Sequence, residues 1–407
     1  MPSKLFVWTY LPGQTEPVVA GSLEIAGTAA KPVGTFVYGA SYRSRPDAVP
    51  LDPVTLPLQS GARQITDLGG VPGVILDACP DVWGIRVITR LYGAQEMPQG
   101  YLLLNDPGRA GCLAFSQASD EPPHQLQSRE FPLADLLAAA EGVEKDTWVD
   151  PELLKALYPG TGGARPKCNI IEDGGVWIAK FSSADDKRIS IPRLEHATMA
   201  LARACGIDAA ETQLREVGGT AVCLVRRFDR QIEDSRIYRK GFLSARTVFH
   251  ADSSYAQVGT GSYQRLSRWM PRYGATDDAR RQLFRRLVFN VMIRNDDDHE
   301  LNHGLVHVER DVYTLAKAYD LVPSLERREV HHHALLIGES DAGTVSNLLA
   351  NSEPFLLSRE EAKQIIFEVQ EQVLDQWRDF FYEAGLDDAD LAKVDHIFKP
   401  IPSGITR

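Results

Sequence analysis

Residues 294–304 read RNDDDHELNHG, and this polar stretch decides the fold that we predict. It follows an apolar helix pattern in which Leu283, Leu287 and Val291 recur at a spacing of four, and it precedes a β-rich run. The three adjacent carboxylates of Asp296–Asp298 repel one another, so such a run usually lies in solvent or beside a cation. A position between two buried elements favours a functional loop over a plain solvated one.

Within this stretch Asp297 and Asn302 are five residues apart. That is the spacing of the protein-kinase catalytic loop, where the aspartate orients or accepts the substrate hydroxyl proton and the asparagine holds Mg²⁺. A kinase also needs a second metal-binding aspartate after a hairpin. Asp320 follows the hairpin that we predict from the β-rich runs 305–308 and 312–315.

The remaining kinase parts lie upstream in the expected order. Lys180 ends VWIAK, which fits a strand lysine that faces phosphates, and Glu195 is a candidate helical partner for it fifteen residues later. One hairpin before the lysine is a small-residue loop whose backbone N–H groups could cradle phosphates, formed by Gly160, Thr161, Gly162 and Gly163. Each part is a weak signal alone, but five parts in the correct order favour a kinase. No Gly-Lys-Ser/Thr follows the loop, which argues against a P-loop NTPase.

Two other functions compete with this interpretation. His299 to His303 match H-E-x-x-H, a zinc metallopeptidase motif that requires a helix to bring both histidines to one face. The flanking acidic run and Gly304 leave little room for such a helix. A kinase-like fold kept only for binding or regulation is the other alternative, and the intact Lys, Asp, Asn, Asp set argues against it.

Composition bounds these hypotheses. The chain has 407 residues, which suggests two or three domains at about 150 residues each. Its 44 basic and 55 acidic side chains give a net charge of −11, which argues against a nucleic-acid coat protein. The five cysteines are widely spaced with no CxxC, and no signal peptide or apolar membrane span is evident. We therefore expect a cytoplasmic protein without membrane contact.

The chemistry-bearing motifs together resemble those of the HipA-type serine/threonine kinase toxins of type II toxin–antitoxin systems. The resemblance rests on PGTGGARPK (159–167), VWIAKF (176–181), VRRFDR (225–230), NDDDHELNHG (295–304) and AYDLVPS (318–324). In the front segment, YGASYRSRPDAVPLDPVTLPL (38–58) and DACPDVWGIRVI (77–88) are similar to the N-terminal domain of that family. The resemblance covers nearly the whole chain.

The resemblance implies an α+β protein with a β-rich N-terminal domain followed by a two-lobed, protein-kinase-like domain. The predicted divisions are a front domain at 1–118, a linker and helix at 119–149, a strand-rich kinase lobe at 150–230 and a helical lobe at 231–407. ATP and Mg²⁺ are the expected cofactors. Lys180 would bind the ATP phosphates, Asp297 would be the catalytic aspartate, and Asn302 and Asp320 would hold Mg²⁺.

The hinge beside adenine would be Arg226, Arg227 and Phe228, acting by backbone contacts and packing, with Asp229 stabilising it. Asp298 and His299 would support the shape of the catalytic loop, and His303 would cap it. Characterised members carry a serine just before the Gly-rich core whose autophosphorylation ejects the loop. Gly160 occupies that position here, so either Thr161 is the autophosphorylation site or the protein lacks the switch.

The family also implies partners. A HipB-like helix-turn-helix antitoxin is expected to bind this chain, and DNA would be reached only indirectly through that antitoxin. The substrate would be a translation component such as an aminoacyl-tRNA synthetase, whose phosphorylation arrests growth.

Overall fold

The computed structural model describes residues 3–28, 30–104, 108–123, 131–157, 163–183, 186, 188–252, 254–255 and 260–404. The strands are β1 (Ser3–Tyr10), β2 (Pro17–Thr28), β3 (Lys31–Tyr38), β4 (Ala62–Ile65), β5 (Leu113–Ser116), β6 (Lys167–Glu172), β7 (Gly175–Lys180), β8 (Thr212–Val217), β9 (Thr220–Arg226), β10 (Arg230–Glu233), β11 (Arg236–Arg239), β12 (Phe242–Ser244), β13 (Gly304–Glu309) and β14 (Val312–Leu315).

The α-helices are α1 (Ala40–Arg43), α2 (Gly73–Leu76), α3 (Val82–Tyr92), α4 (Gln99–Leu104), α5 (Leu133–Glu144), α6 (Pro151–Ala156), α7 (Ile191–Ala204), α8 (Ala245–His250), α9 (Tyr263–Trp269), α10 (Asp277–Met292), α11 (Val345–Ala350), α12 (Arg359–Glu383) and α13 (Asp388–Val394). No helix in the described part of the chain is both long enough and apolar enough to cross a membrane.

The chain divides into two compact units. The first comprises Met1–Ser183, Arg227–Ala251 and Val306–Val312, and the second comprises Ala184–Arg226, Asp252–Leu305 and Tyr313–Arg407. The chain therefore passes between the units more than once. The domain bounds predicted at residues 118, 149 and 230 do not coincide with this division and stay a prediction.

The front of the first unit is an antiparallel sheet with the strand order β4-β3-β2-β1-β5. Strand β1 lies inside it and is buried on both faces: Leu5 and Val7 lie on one face, and Trp8 and Tyr10 pack against Ala114 on β5. This pattern explains why the β1 sequence is apolar almost throughout and does not alternate cleanly. The expectation of a β-rich front segment is confirmed.

The first unit also contains the hairpin of β6 and β7. Its turn is Asp173-Gly174, with φ of 48° and 67°, and Asp-Gly is favoured in two-residue hairpin turns that need positive φ at both positions. The register places Lys167 opposite Lys180, so both side chains leave the same face of the hairpin.

The second unit is mostly helical, with one hairpin formed by β8 and β9. The helix starts follow their capping residues: Thr276 Oγ1 accepts from the N–H of Ala279 (3.2 Å) at α10, and Ser358 with Glu361 forms a capping box at α12. Helix α12 buries Ile366, Val369, Val373, Trp377 and Phe381. Ile365 is only half-buried, because Ile366, with Val369 and Val373, follows the i, i+3, i+7 spacing of the buried face.

Candidate active site

The polar loop begins where α10 ends. Arg294 adopts a left-handed conformation (φ 56°), and the N–H of Asn295 donates to Asn290 O (3.0 Å), which is the helix-ending pattern usually built on glycine. The arginine is retained in this position by its side chain, since Nε donates to Ile397 O (2.8 Å). This termination turns the chain sharply into the three aspartates.

The three adjacent carboxylates have different environments, which relieves their mutual repulsion. Asp296 is half-buried, Asp297 is exposed and Asp298 is buried. Across the loop, Asn302 Nδ2 donates to Asp297 O (3.1 Å), and the Asn302 N–H donates to His299 O (2.9 Å). The loop therefore closes on itself with the Asp297 carboxylate directed to solvent and the Asn302 amide beside it.

Asp298 anchors the loop to the helical unit. Both Asp298 and His303 are about 1 % exposed, and His303 Nε2 donates to Asp298 Oδ1 (2.8 Å). The hydroxyl of Tyr263 donates to the other Asp298 oxygen and accepts from Asn290 Nδ2 (2.9 Å). Burial works against ionisation, but the charge and hydrogen bond of His303 and the Tyr263 bond lower the pKa of Asp298 below its ordinary value.

A segment more than thirty residues downstream braces the other side of the loop. His331 Nδ1 donates to Asp296 Oδ1 (2.8 Å), and His333 Nδ1 donates to Asn295 O (2.9 Å). The N–H groups of Ala334 and Leu335 donate to the carbonyl oxygens of residues 296 and 298 (3.1 and 2.9 Å). His331 and His333 are thus buried braces of the loop, a role that sequence reasoning missed.

Asp320 also lies in the second unit, just after β14. It has a left-handed backbone (φ 58°), a conformation that is uncommon for residues other than glycine and that aspartate adopts more readily than most. The hydroxyl of the preceding Tyr319 donates to Leu301 O (2.7 Å). This bond ties Tyr319, the neighbour of Asp320, to Leu301, the neighbour of Asn302.

The lysine and Gly-rich candidates lie in the first unit. Lys180 is half-buried at the end of β7. Gly160, Thr161 and Gly162 fall outside the described residues, whereas Gly163 is described and has φ of 119°. The Gly163 carbonyl accepts from the N–H of Trp83 at the start of α3 (3.4 Å).

Lys167, the last residue of GGARPK, is structural. Its Nζ forms a buried ion pair with Asp81 Oδ2 (2.9 Å), and its carbonyl accepts from Trp83 Nε1 (2.9 Å). The base of the Gly-rich loop is therefore fixed to the N-terminus of α3.

The remaining candidates fall on both units. Glu195 lies on α7 in the second unit and is 3 % exposed, so it is a buried residue and not a surface one.

The backbone N–H of Arg226 donates to Glu211 O (2.8 Å), and that of Arg227 donates to Val176 O (2.9 Å). Both N–H groups of the predicted hinge therefore already donate to backbone carbonyls.

A buried cluster holds the segment after β9. Asp229 accepts from the guanidinium groups of Arg227 (2.8 Å) and Arg230 (2.9 Å), and from the N–H of Gly111 (2.8 Å). Burial opposes its ionisation, but the two arginines hold the pKa of Asp229 well below its ordinary value. Phe228, the third hinge candidate, packs near Phe242 with ring centroids 6.0 Å apart.

Part of the chain matches a known protein family. Residues 160–377, more than half of the chain, match the family described as HipA-like C-terminal domain. The chain belongs to this family. The matched range contains the candidate lysine, the aspartate loop and Asp320, so the resemblance seen in the sequence motifs is confirmed.

Two curated relatives of this HipA-like protein carry the word kinase in their names. A "Putative kinase Y4dM" from Sinorhizobium fredii is 32% identical over 165 residues, covering 37% of this chain and 38% of the relative. A "Putative kinase" from Haemophilus influenzae is 24% identical over 153 residues, covering 35% of this chain and 44% of the relative. The chain thus spans less than half the length of the curated relatives it matches.

The fold of the HipA-like protein is similar to a solved structure along nearly its full length. That structure is from the Shewanella oneidensis MR-1 toxin–antitoxin system, in a complex of HipA, HipB and operator DNA. The TM-score is 0.70 at 18% identity, and the match covers 97% of this chain and 95% of the other. The predicted α+β class, with strand-rich and helical regions, is confirmed.

The zinc alternative does not survive in this HipA-like protein. Residues 299–303 form turns and a bend, so they do not present both histidines on one helical face. His303 is bonded to Asp298, and His299 Nδ1 accepts from the N–H of Leu301 (3.3 Å). Within the residues that the structure describes, no group of three or more His, Cys, Asp or Glu side chains is arranged to hold a metal ion.

Proposed function

We propose that this HipA-like protein is a Mg-ATP-dependent serine/threonine protein kinase and the toxin component of a toxin–antitoxin pair. The observation that carries the proposal is the loop from Asp297 to Asn302, in which Asn302 donates to the Asp297 carbonyl while the Asp297 carboxylate faces solvent. A kinase needs this arrangement, because the aspartate must reach a substrate hydroxyl beside the asparagine that holds the metal.

The donor set fits Mg²⁺. Magnesium prefers oxygen ligands, and a carboxylate on Asp320 and an amide on Asn302 provide them. Asn302 uses Nδ2 for the bond to Asp297, which leaves Oδ1 as the atom that can bind a cation. When bound, the ion would offset the negative charge of the ATP phosphates.

The protein's own side chains then position the reactants. Asp297 would accept a hydrogen bond from the substrate Ser or Thr hydroxyl and hold it in line with the γ-phosphate. Lys180 would add positive charge at the phosphates, and Glu195 is proposed as its partner. Little covalent work is needed from the protein, so rigidity of the loop is the main requirement.

Nucleotide contacts complete the proposal. The loop of Gly160, Thr161, Gly162 and Gly163 would cover the phosphates, and Thr161 is the candidate for autophosphorylation. The adenine would lie beside the segment of Arg226, Arg227 and Phe228, where packing replaces the two N–H contacts that are already occupied. His299, like Asp298, would support the loop, since it accepts a hydrogen bond from the Leu301 N–H inside it.

The partners of the toxin are proposed by analogy with the family and with the solved complex. We infer a HipB-like helix-turn-helix antitoxin as the binding partner, and contact with operator DNA through that antitoxin. The net charge of −11 supports contact with DNA through the antitoxin, because binding of DNA phosphates by this chain itself would need a basic surface. A translation component such as an aminoacyl-tRNA synthetase is the proposed substrate.

The test is the variant Asp297→Ala in a labelled-ATP assay with Mg²⁺ and a cell lysate. We expect wild-type protein to yield phosphoprotein and the variant to yield none, while Mg-ATP raises the melting temperature of both. Asp311→Ala, which removes an exposed carboxylate at the β13–β14 turn, is the matched control and should retain activity. Full labelling by Asp297→Ala would refute the assignment.

The same assay separates the alternative function. Stabilisation of the wild type by Mg-ATP without any phosphoprotein would indicate a kinase-like binding module. The labelled band itself would identify the substrate and would reveal autophosphorylation.

A further inference from the structure

The N-terminus of α3 holds the base of the Gly-rich loop through a buried carboxylate. Asp81 caps this helix with one oxygen, since Oδ1 accepts from the N–H of Gly84 (2.6 Å). Its other oxygen, Oδ2, accepts from Lys167 Nζ (2.9 Å). In this ion pair Lys167 is 3 % and Asp81 is 5 % exposed, so solvent ions screen the attraction little. Asp81 therefore joins the start of α3 to the end of the Gly-rich segment.

Trp83 holds the same segment at two further points. Its backbone N–H donates to Gly163 O (3.4 Å), and its buried indole Nε1 donates to Lys167 O (2.9 Å). The ammonium group of Lys167 also passes close to Gly163. A Cβ on the φ 119° backbone of Gly163 would lie 2.5 Å from Lys167 Nζ, so this approach requires glycine. The first turn of α3 thus holds residues 163–167 at both ends.

The held segment is joined to the strand that carries Lys180. Lys167 lies opposite Lys180 in the β6–β7 register, and the N–H of Phe181 donates to Pro166 O (3.0 Å). Pro166 and Lys167 are buried, whereas residues 163–165 are exposed. All of these residues and α3 lie in the first unit. The buried base therefore sets where the exposed part of the loop leaves the hairpin of Lys180.

We propose that Asp81 and Trp83, called the anchor below, are positioning residues for the binding of the ATP phosphates. This rests on the proposed function, in which the backbone N–H groups of the Gly-rich loop face those phosphates. Such donors bind well only at N–H···O distances of about 2.7–3.2 Å, and a loop held in place in advance loses less entropy on binding. The anchor acts through Gly163 and Lys167 and does not itself contact the nucleotide.

The anchor should affect only ligands that carry phosphates. Its loss should weaken the binding of ATP, whose phosphates the loop would cover, and leave the binding of adenosine unchanged. The kcat at saturating ATP should stay close to that of the wild type, because Asp297 belongs to a different loop. A residue that only stabilised the fold would not distinguish the two ligands.

The experiment compares Trp83→Phe with the wild type in calorimetric titrations with adenosine and, separately, with Mg²⁺ and a non-hydrolysable ATP analogue. The substitution keeps an aromatic ring and removes the donor to Lys167 O. We expect the dissociation constant of the analogue to rise about fivefold, and that of adenosine to stay the same. Trp8→Phe is the matched control and should bind both ligands as the wild type does. Trp8 is also buried in the first unit, and its Nε1 donates to Ser116 Oγ (2.7 Å).

Hydrogen exchange of the peptide that covers residues 163–167 gives a readout that needs no nucleotide. Exchange there should be faster in Trp83→Phe than in Trp8→Phe, because only the first variant loosens this segment. The double variant Asp81→Asn with Lys167→Met keeps the test decisive if Trp83→Phe does not fold. It removes both charges of the buried pair, so it should fold, yet it lacks the ion pair and should also bind the analogue about fivefold more weakly.

Three results would decide against the inference or against its basis. Wild-type affinity and wild-type exchange in both anchor variants would overturn the inference and leave the kinase assignment intact. Equal weakening of the analogue and of adenosine would also overturn it, since the effect would then be a general loosening. If the wild type bound no analogue, the proposed function would be refuted, and the exchange comparison would still decide whether α3 anchors the loop.

Discussion

Replacing Tyr263 by Phe tests whether the buried hydrogen bonds behind the catalytic loop hold it in place. The hydroxyl of Tyr263 donates to Asp298 and accepts from Asn290 Nδ2 (2.9 Å), and all three side chains are buried. Tyr263→Phe removes a bond to a charged acceptor and leaves the Asn290 amide without its acceptor. The expected loss of unfolding free energy is about 2–4 kcal/mol.

The measurement is urea-induced unfolding followed by tryptophan fluorescence. Thr198→Val is the matched control, because Thr198 lies on α7 of the same unit, is fully buried and donates to Leu194 O (2.8 Å), which is a neutral acceptor. Its loss should cost about 1 kcal/mol. If Tyr263→Phe were no less stable than Thr198→Val, the bond to Asp298 would not carry the energy assigned to it.

The same variant separates positioning of the loop from general stability. Asp297 is the neighbour of Asp298, so a loosened Asp298 displaces the proposed catalytic carboxylate but not the nucleotide. We expect kcat to fall by about tenfold, equivalent to about 1.4 kcal/mol of the barrier, with KM for ATP unchanged. A rise in KM for ATP with unchanged kcat would contradict a positioning role for Tyr263.

Two further predictions concern titratable side chains away from the loop. Asp81→Asn should destabilise the first unit by about 3–5 kcal/mol, because it removes the carboxylate that faces the buried ammonium group of Lys167, and adding Lys167→Met should restore most of the loss in thermal unfolding. Burial, assisted by the charge of Arg203, lowers the pKa of His196 from 6.5 to about 4. Since the unfolded chain takes up this proton first, stability should fall as pH falls from 6.5 towards 4, and His196→Gln should flatten that dependence in a pH series of unfolding midpoints. An equally steep series for the variant would exclude His196 as its cause.

Much of the local structure could be predicted because its causes lie within a few residues. Asp173-Gly174 suits its hairpin turn, and Thr276 and Ser358 suit their helix starts, because turn and capping preferences depend on neighbouring backbone groups. The five-residue spacing of Asp297 and Asn302 likewise defined the loop before any packing was known. Family membership then followed from the order of such motifs.

The sequence by itself therefore determined the helix before residue 294, the hairpin after residue 304 and the loop between them that carries the candidate chemistry. Only the tertiary structure decided which residues hold that loop: Tyr263, 35 positions before Asp298, and His331, 35 positions after Asp296. It also decided that Lys167 pairs with Asp81, 86 positions away. Contacts at such separations have no periodic signature, since they arise when distant elements pack and buried polar groups must find partners.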